Sequence, residues 1–256
     1  MSGSRVVFLK SRVRAEEAAS QTSRVMSAFS VALRRLPTRP LGFAACVSHL
    51  QEDAHRLATR SLAVRALLRF REALFCAPGR ELEMRMLWRE SLATACTARM
   101  VARVCGGNAP LLTGAGLLHR LGEVIALRAL AEAECHTGQR LLGPVVQEMI
   151  AARDEDLVAR ASGHWALADE LRTIVVGWRS STLPGACCEG GRQLMLAQLL
   201  AFEQVHAEQS TPGTVETVCG EMGVAQFLTD ELRAATAGIE SLLTRAGPTM
   251  GPIAVT

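Results

Sequence analysis

Through most of its 256 residues the chain repeats apolar side chains at helical spacing, and nowhere does it alternate polar with apolar residues over a full strand length. Near the C-terminus Leu228, Leu232, Ala235, Ile239 and Leu242 fall at i, i+4, i+7, i+11 and i+14, one stripe on one helix. Tyr, which favours strands, is absent. Such a chain has to bury its apolar faces helix against helix, so the expected fold class is all-α.

Gly and Pro punctuate the pattern. Pro37 and Pro40 close a first helix at about 14–35. A region at about 42–74 contains the amphipathic run SHLQEDAHRLATRSLAVRALLRF and is interrupted at APGR. A long helix at about 81–104 ends at CGGN, where Gly106 and Gly107 suit a C-cap. Further helices are predicted at about 109–119, 122–136, 143–161, 166–179 and 190–208, then near 213–221 and 224–245, before the tail GPTMGPIAVT at 247–256. The linkers are too short to separate independent domains, which predicts one body with the helices of 209–246 packed on it.

With 49% apolar and 21% charged residues, the composition is that of a globular protein rather than a disordered one. The longest run free of charge and His, Val104 to Leu118, has 15 residues and includes Gly106, Gly107, Pro110, Gly114 and Gly116, so no membrane partner is expected. The start, MSGSRVVFLKSRVR, carries charges on both sides of VVFL and no apolar segment of signal-peptide length, which predicts a cytoplasmic location. Cysteines at 46, 76, 96, 105, 135, 187, 188 and 219 are dispersed, form no C-x-x-C pair, and read as reduced core thiols. Residues 1–40 hold Arg5, Lys10, Arg12, Arg14, Arg24, Arg34, Arg35 and Arg39 against Glu16 and Glu17. Aromatics do not alternate with them, only Phe8 and Phe29 falling in the segment, so a solvated helix face is expected before a nucleic-acid surface.

The order of segments SAFSVALRRLPTRPLGFAACVSHL, LATRSLAVRALL, LWRESLATACTARMVARVCG, LLTGAGLLHRLGEVIAL and LAQLLAF, over residues 12–208, resembles the HDOD family, HD-related output domains of bacterial signalling proteins. The resemblance implies a compact HD-like bundle, with a smaller N-terminal lobe at about 1–76 and an HD-like lobe at about 80–208. It also implies a regulatory, protein-interacting role. The family shares its fold with HD phosphohydrolases, whose cation is held by an early His, an adjacent His and Asp, and a late Asp. Carried across by motif, those positions fall on Glu90 in LWRESLA, on His119 and Arg120 in GLLHRLGEVIAL, and on Gln198 in LAQLL. One ligand type out of four is kept. A guanidinium has only donors and cannot ligate a cation. The remnant is therefore expected to be structural: Arg120 takes the cation's place in a bidentate bond to Glu90, with His119 or Gln198 completing the hydrogen bonding. No catalytic residue, metal or cofactor is expected.

Other chemistry finds no support in the sequence. His49, His55, His136, His164 and His206 read as isolated, and Cys135 with His136 lacks two further zinc ligands. TGAGLLHRLG has no third glycine at dinucleotide spacing and reads as close helix packing. Asp154, Glu155 and Asp156, flanked by Arg153 and Arg160, read as a solvated face. Cys187 and Cys188 have no neighbouring cation to activate a thiolate. The function expected is non-catalytic signal transduction through an unidentified signalling protein. The alternatives are a divergent HD phosphohydrolase acting on a nucleotide, and nucleic-acid binding by the basic N-terminal segment.

Overall fold

In a computed structural model, residues 19–40, 42–51, 61–141, 143–179, 188–206, 217, 219 and 220 are described, and every regular element among them is a helix. In chain order these are α1 (19–32), α2 (Phe43–His49), α3 (Ser61–Leu74), α4 (Glu81–Cys105), α5 (Ala109–Leu118) and α6 (Leu121–Thr137). They are followed by α7 (Gly143–Ala151), α8 (Asp154–His164), α9 (Asp169–Gly177) and α10 (Glu189–Val205).

The long α4 is the axis of the bundle. It has no Gly or Pro inside, Glu81 and Glu83 stand at the positive end of its dipole and Arg103 at the negative end, and a left-handed Gly106 stops it. From Ser91 to Arg99 every residue is buried, because α5 lies along one side and α10 along another. That contact explains why, Leu92 and Arg99 apart, these residues are so small. A Cβ added at Gly116 of α5 would lie 2.5 Å from Ala95 Cα and 2.7 Å from Ala95 N, so only glycine lets the two backbones approach this closely. At the other end of α4, Trp88 meets Phe75 edge-on at 5.3 Å and Phe70 at 6.3 Å, tying in α3. The helix α6 packs on α8, α7 and α4, and α9 bridges α5, α8 and α10.

Two expectations need correction, the helix at 143–161 and the placing of the cysteines. The helix predicted at 143–161 is two, broken at 152–153, although no Gly or Pro marks the break. The region 42–74 is divided into α2 and α3, and residues 52–60 between them, with His55, lie outside the described residues. The cysteines are not all core thiols. Cys46, Cys96 and Cys219 are buried, but Cys76, Cys135 and Cys188 are exposed, since each sits at a helix end or on an outward face. The 224–245 stripe, most of 213–221, Cys187 and residues 1–18 also lie outside the described residues. No described helix is long and apolar enough to cross a membrane.

Candidate functional site

The turn between α5 and α6 carries His119 and Arg120, and it turns the two side chains in opposite directions. His119 goes inward and is 1% exposed. Its Nδ1–H donates to Gly116 O at 2.8 Å, since a carbonyl can only accept, and the indole of Trp178 donates to His119 O at 3.0 Å and packs edge-on to the ring at 5.4 Å. Burial pushes the imidazole pKa down to about 4, so His119 is a neutral core residue.

Arg120 points into a cleft instead, and there it meets Glu90 from α4: Nη1 pairs with Glu90 Oε2. The bidentate bond goes to a different residue. Arg120 Nε donates to Glu123 Oε1 at 3.0 Å and Nη2 to Glu123 Oε2 at 2.5 Å, because three residues on along α6 the carboxylate returns to the same side. Of the four positions that the resemblance assigns, the structure brings 90 and 120 together. His119 is buried and bonds Gly116 O instead, and Gln198, half-buried on α10, makes no hydrogen bond to Glu90 or Arg120.

The pair is the middle of a longer chain of charges. On one side His206, just past α10, meets Glu90 Oε1 through Nε2 at 3.0 Å. On the other, Glu123 Oε1 also accepts from Arg179 Nη2, and Arg179 Nη1 lies 2.9 Å from Asp154 Oδ2 at the start of α8. Sequence reasoning missed four of these six groups. Asp154 is no solvated acid but is 4% exposed, and His206 is not isolated. Arg120–Glu123 had a local signal, opposite charges at i, i+3; Asp154–Arg179 and Glu90–His206 are separated by too much chain to have one.

Three carboxylates against two guanidiniums leave this chain at −1 while His206 is neutral. Burial raises the Glu123 carboxyl, but Arg120 and Arg179 outweigh it and hold it below the ordinary range. At Asp154 burial wins and the pKa is raised despite Arg179. His206 is lowered, first by burial and then by Arg120 and Arg89.

The residues do not fit a metal. Glu90 and Glu123 spend their oxygens on guanidinium and imidazole donors, Arg120 sits between them, and no group of three or more His, Cys, Asp or Glu among the described residues is arranged to hold an ion. Asp154 Oδ1 has no hydrogen-bond partner among the described residues, but it is pressed against Gly122, where a Cβ would lie 2.4 Å from it. What the arrangement leaves is a cleft of about 440 Å³ with a charged floor of Glu90, Arg120, Glu123 and Arg179 and apolar walls that include Met86, Val146 and Ile150.

A family model described as the HDOD domain matches residues 43–177, more than half of the chain. No curated protein and no solved structure matches. The match includes Glu90, His119, Arg120, Glu123 and Asp154, whereas Arg179, Gln198 and His206 lie beyond it.

Proposed function

The chain belongs to the HDOD domain family, and on that premise we propose that it is a non-catalytic module of a signalling pathway, acting through contact with another protein. The observation that carries the reading is Arg120. In the place where the resemblance puts a metal, a guanidinium is bound by Glu90 and, through two hydrogen bonds, by Glu123. Metal-assisted hydrolysis needs a cation to lower the pKa of water or to polarise a phosphoryl oxygen, with an open coordination position. A guanidinium has no coordination position and cannot acidify a bound water as a metal does, and here its donors are already taken by Glu90 and Glu123. Glu90, His119, Arg120 and Gln198 are in this reading a structural remnant of an HD site, in which only the first and third still touch.

The test uses the full chain. After incubation with Mn²⁺ and desalting, elemental analysis should find no stoichiometric metal, and neither a nucleotide nor p-nitrophenyl phosphate should be hydrolysed above buffer. About one metal per chain, lost in His119→Ala, or hydrolysis that requires Mn²⁺, favours the divergent phosphohydrolase instead.

A further inference from the structure

A second cavity system lies where α1 crosses α6. A cleft of about 700 Å³ is lined by Ser23, Arg24, Ser27 and Val31 from α1 and by Glu132 and His136 from α6. It adjoins another of about 520 Å³ that shares Arg35, Glu132 and His136 and adds Arg128 with the exposed thiols of Cys76 and Cys135. Its floor is apolar, formed by Ala28, Ala32, Ala129 and Ala133, and Val31 on its edge is 54% exposed.

The charge around this floor is one-sided. Among the described residues Glu132 is the only carboxylate that lines either cleft, and Arg35 already pairs with it at 3.3 Å. Arg24 is exposed and makes no ion pair among the described residues. Arg128 donates to Ala73 O at 2.6 Å and Leu74 O at 3.0 Å, the last carbonyls of α3, and pairs with no carboxylate among the described residues. Beyond the rim, Arg34 and Arg39 are exposed, whereas Arg160, which reaches Leu33 O at 3.2 Å, is paired with Asp156 at 3.4 Å.

We propose that this groove is where a protein partner docks, and that the docking segment is acidic with small or aliphatic side chains between its carboxylates. The inference rests on reading the chain as an interaction module. Carboxylates would meet Arg24, Arg35 and Arg128 at the walls while aliphatic side chains cover the alanine floor and Val31. No Phe, Tyr or Trp lines either cleft, His136 being the one ring there, and a concave apolar floor matches aliphatic side chains rather than a phosphate backbone. The chain's own N-terminal residues Arg5, Lys10, Arg12 and Arg14 carry the wrong sign to be the occupant.

The native thiols report on the site. Cys76 and Cys135 line the groove, whereas exposed Cys188 lines a different cleft beside Gly107 and Asp169. The probe is a fluorescein-labelled peptide of repeated Glu, Ala and Leu, mixed with the full chain. The controls are the same peptide with Lys in place of Glu and a single-stranded DNA oligonucleotide of equal charge. The Glu peptide should bind, bind less well as salt is raised, and slow alkylation of Cys76 and Cys135 by iodoacetamide, mapped by mass spectrometry, while Cys188 reacts as before. Arg24→Glu with Arg35→Glu, both exposed and checked for an unchanged helical spectrum, should weaken binding by roughly tenfold or more. No binding by the Glu peptide, equal protection of Cys188, indifference to the charge reversal, or tighter binding of the oligonucleotide would each overturn the proposal. With metal and hydrolysis still absent, such a result removes the groove and leaves the non-catalytic reading intact.

Discussion

Arg80 and Arg120 are each held by two glutamates and both line the cleft, yet Arg80 is far more completely withdrawn from water. Its side chain is 4% exposed and bonds Glu134 through Nε at 3.0 Å and Nη2 at 2.5 Å, Glu83 at 2.9 Å, and Leu141 O at 3.0 Å; Glu134 in turn accepts from Leu141 N at 2.7 Å. Every partner is close at hand, and the result is a clamp that fixes the start of α4 to the end of α6. Arg120 is 26% exposed, borders a cleft, and belongs to a chain that runs through α4, α6, α8 and the residues just after α9 and α10. That chain is incompletely satisfied: Asp154 Oδ1 and Arg179 Nε have no partner among the described residues. A saturated buried charge serves only to hold, while a charge shared between many elements at a cleft also sets how those elements lie relative to one another.

The sharpest break in this comparison is at the clamp. Arg80→Ala leaves Glu134 without its counter-ion and Glu83 with only the field of Arg140, and should cost about 3–5 kcal/mol in urea denaturation. Next comes acid. The unfolded His119 takes up a proton near its ordinary pKa of 6.5, whereas the buried ring resists until about 4. Its folded value is the lower one, so stability should fall as pH drops through that window, by about 3 kcal/mol, and the effect levels off below it. Glu123, held below its ordinary value, adds a loss at still lower pH, and Asp154, raised by burial, works in the opposite sense. His119→Asn, which keeps a donor for Gly116 O, should flatten the profile between pH 6.5 and 4. A wild-type profile flat across this window would show that the ring is not buried neutral.

Smaller effects should separate the two partners within the cleft. Arg120→Ala deprives both Glu90 and Glu123 of a cation and should cost about 2–3 kcal/mol, less than at Arg80 because water reaches the site. Glu90→Ala should cost only about 1–2 kcal/mol, since Arg120 still has Glu123. Equal losses at 90 and 120 would mean that the i, i+3 bond to Glu123 contributes nothing.

The all-α class and most helix boundaries were legible because helical spacing, Gly106 and the Asn108–Pro110 start of α5, where the Asn108 side chain accepts from Leu111 N at 3.1 Å, are local signals. The break at 152–153 had one too, an acidic first turn at Asp154, Glu155 and Asp156, which local charge pattern also allows to be a solvated face. What decided between the two was Arg179, 25 residues further on, and no sequence pattern announces such a partner. The site was half legible for the same reason. The motif positions led to Glu90 and Arg120, Glu123 was within three residues of Arg120, and His206 was 116 residues from Glu90. The resemblance named Gln198, but it is His206, just past the end of α10, that meets Glu90.

The central claim is that Arg120 and Glu90 form an ionic joint where a hydrolase would hold its metal. The most direct test is a double-mutant cycle in the full chain, with Glu90→Ala, Arg120→Leu and the two combined, each followed by urea denaturation. If the pair is a joint, the combined variant regains part of what the single ones lose, because no unpaired charge is left between the two positions, and the coupling energy is about 1–3 kcal/mol. Losses that simply add, within about 0.5 kcal/mol, would contradict the claim and leave the two side chains as neighbours that do not depend on one another.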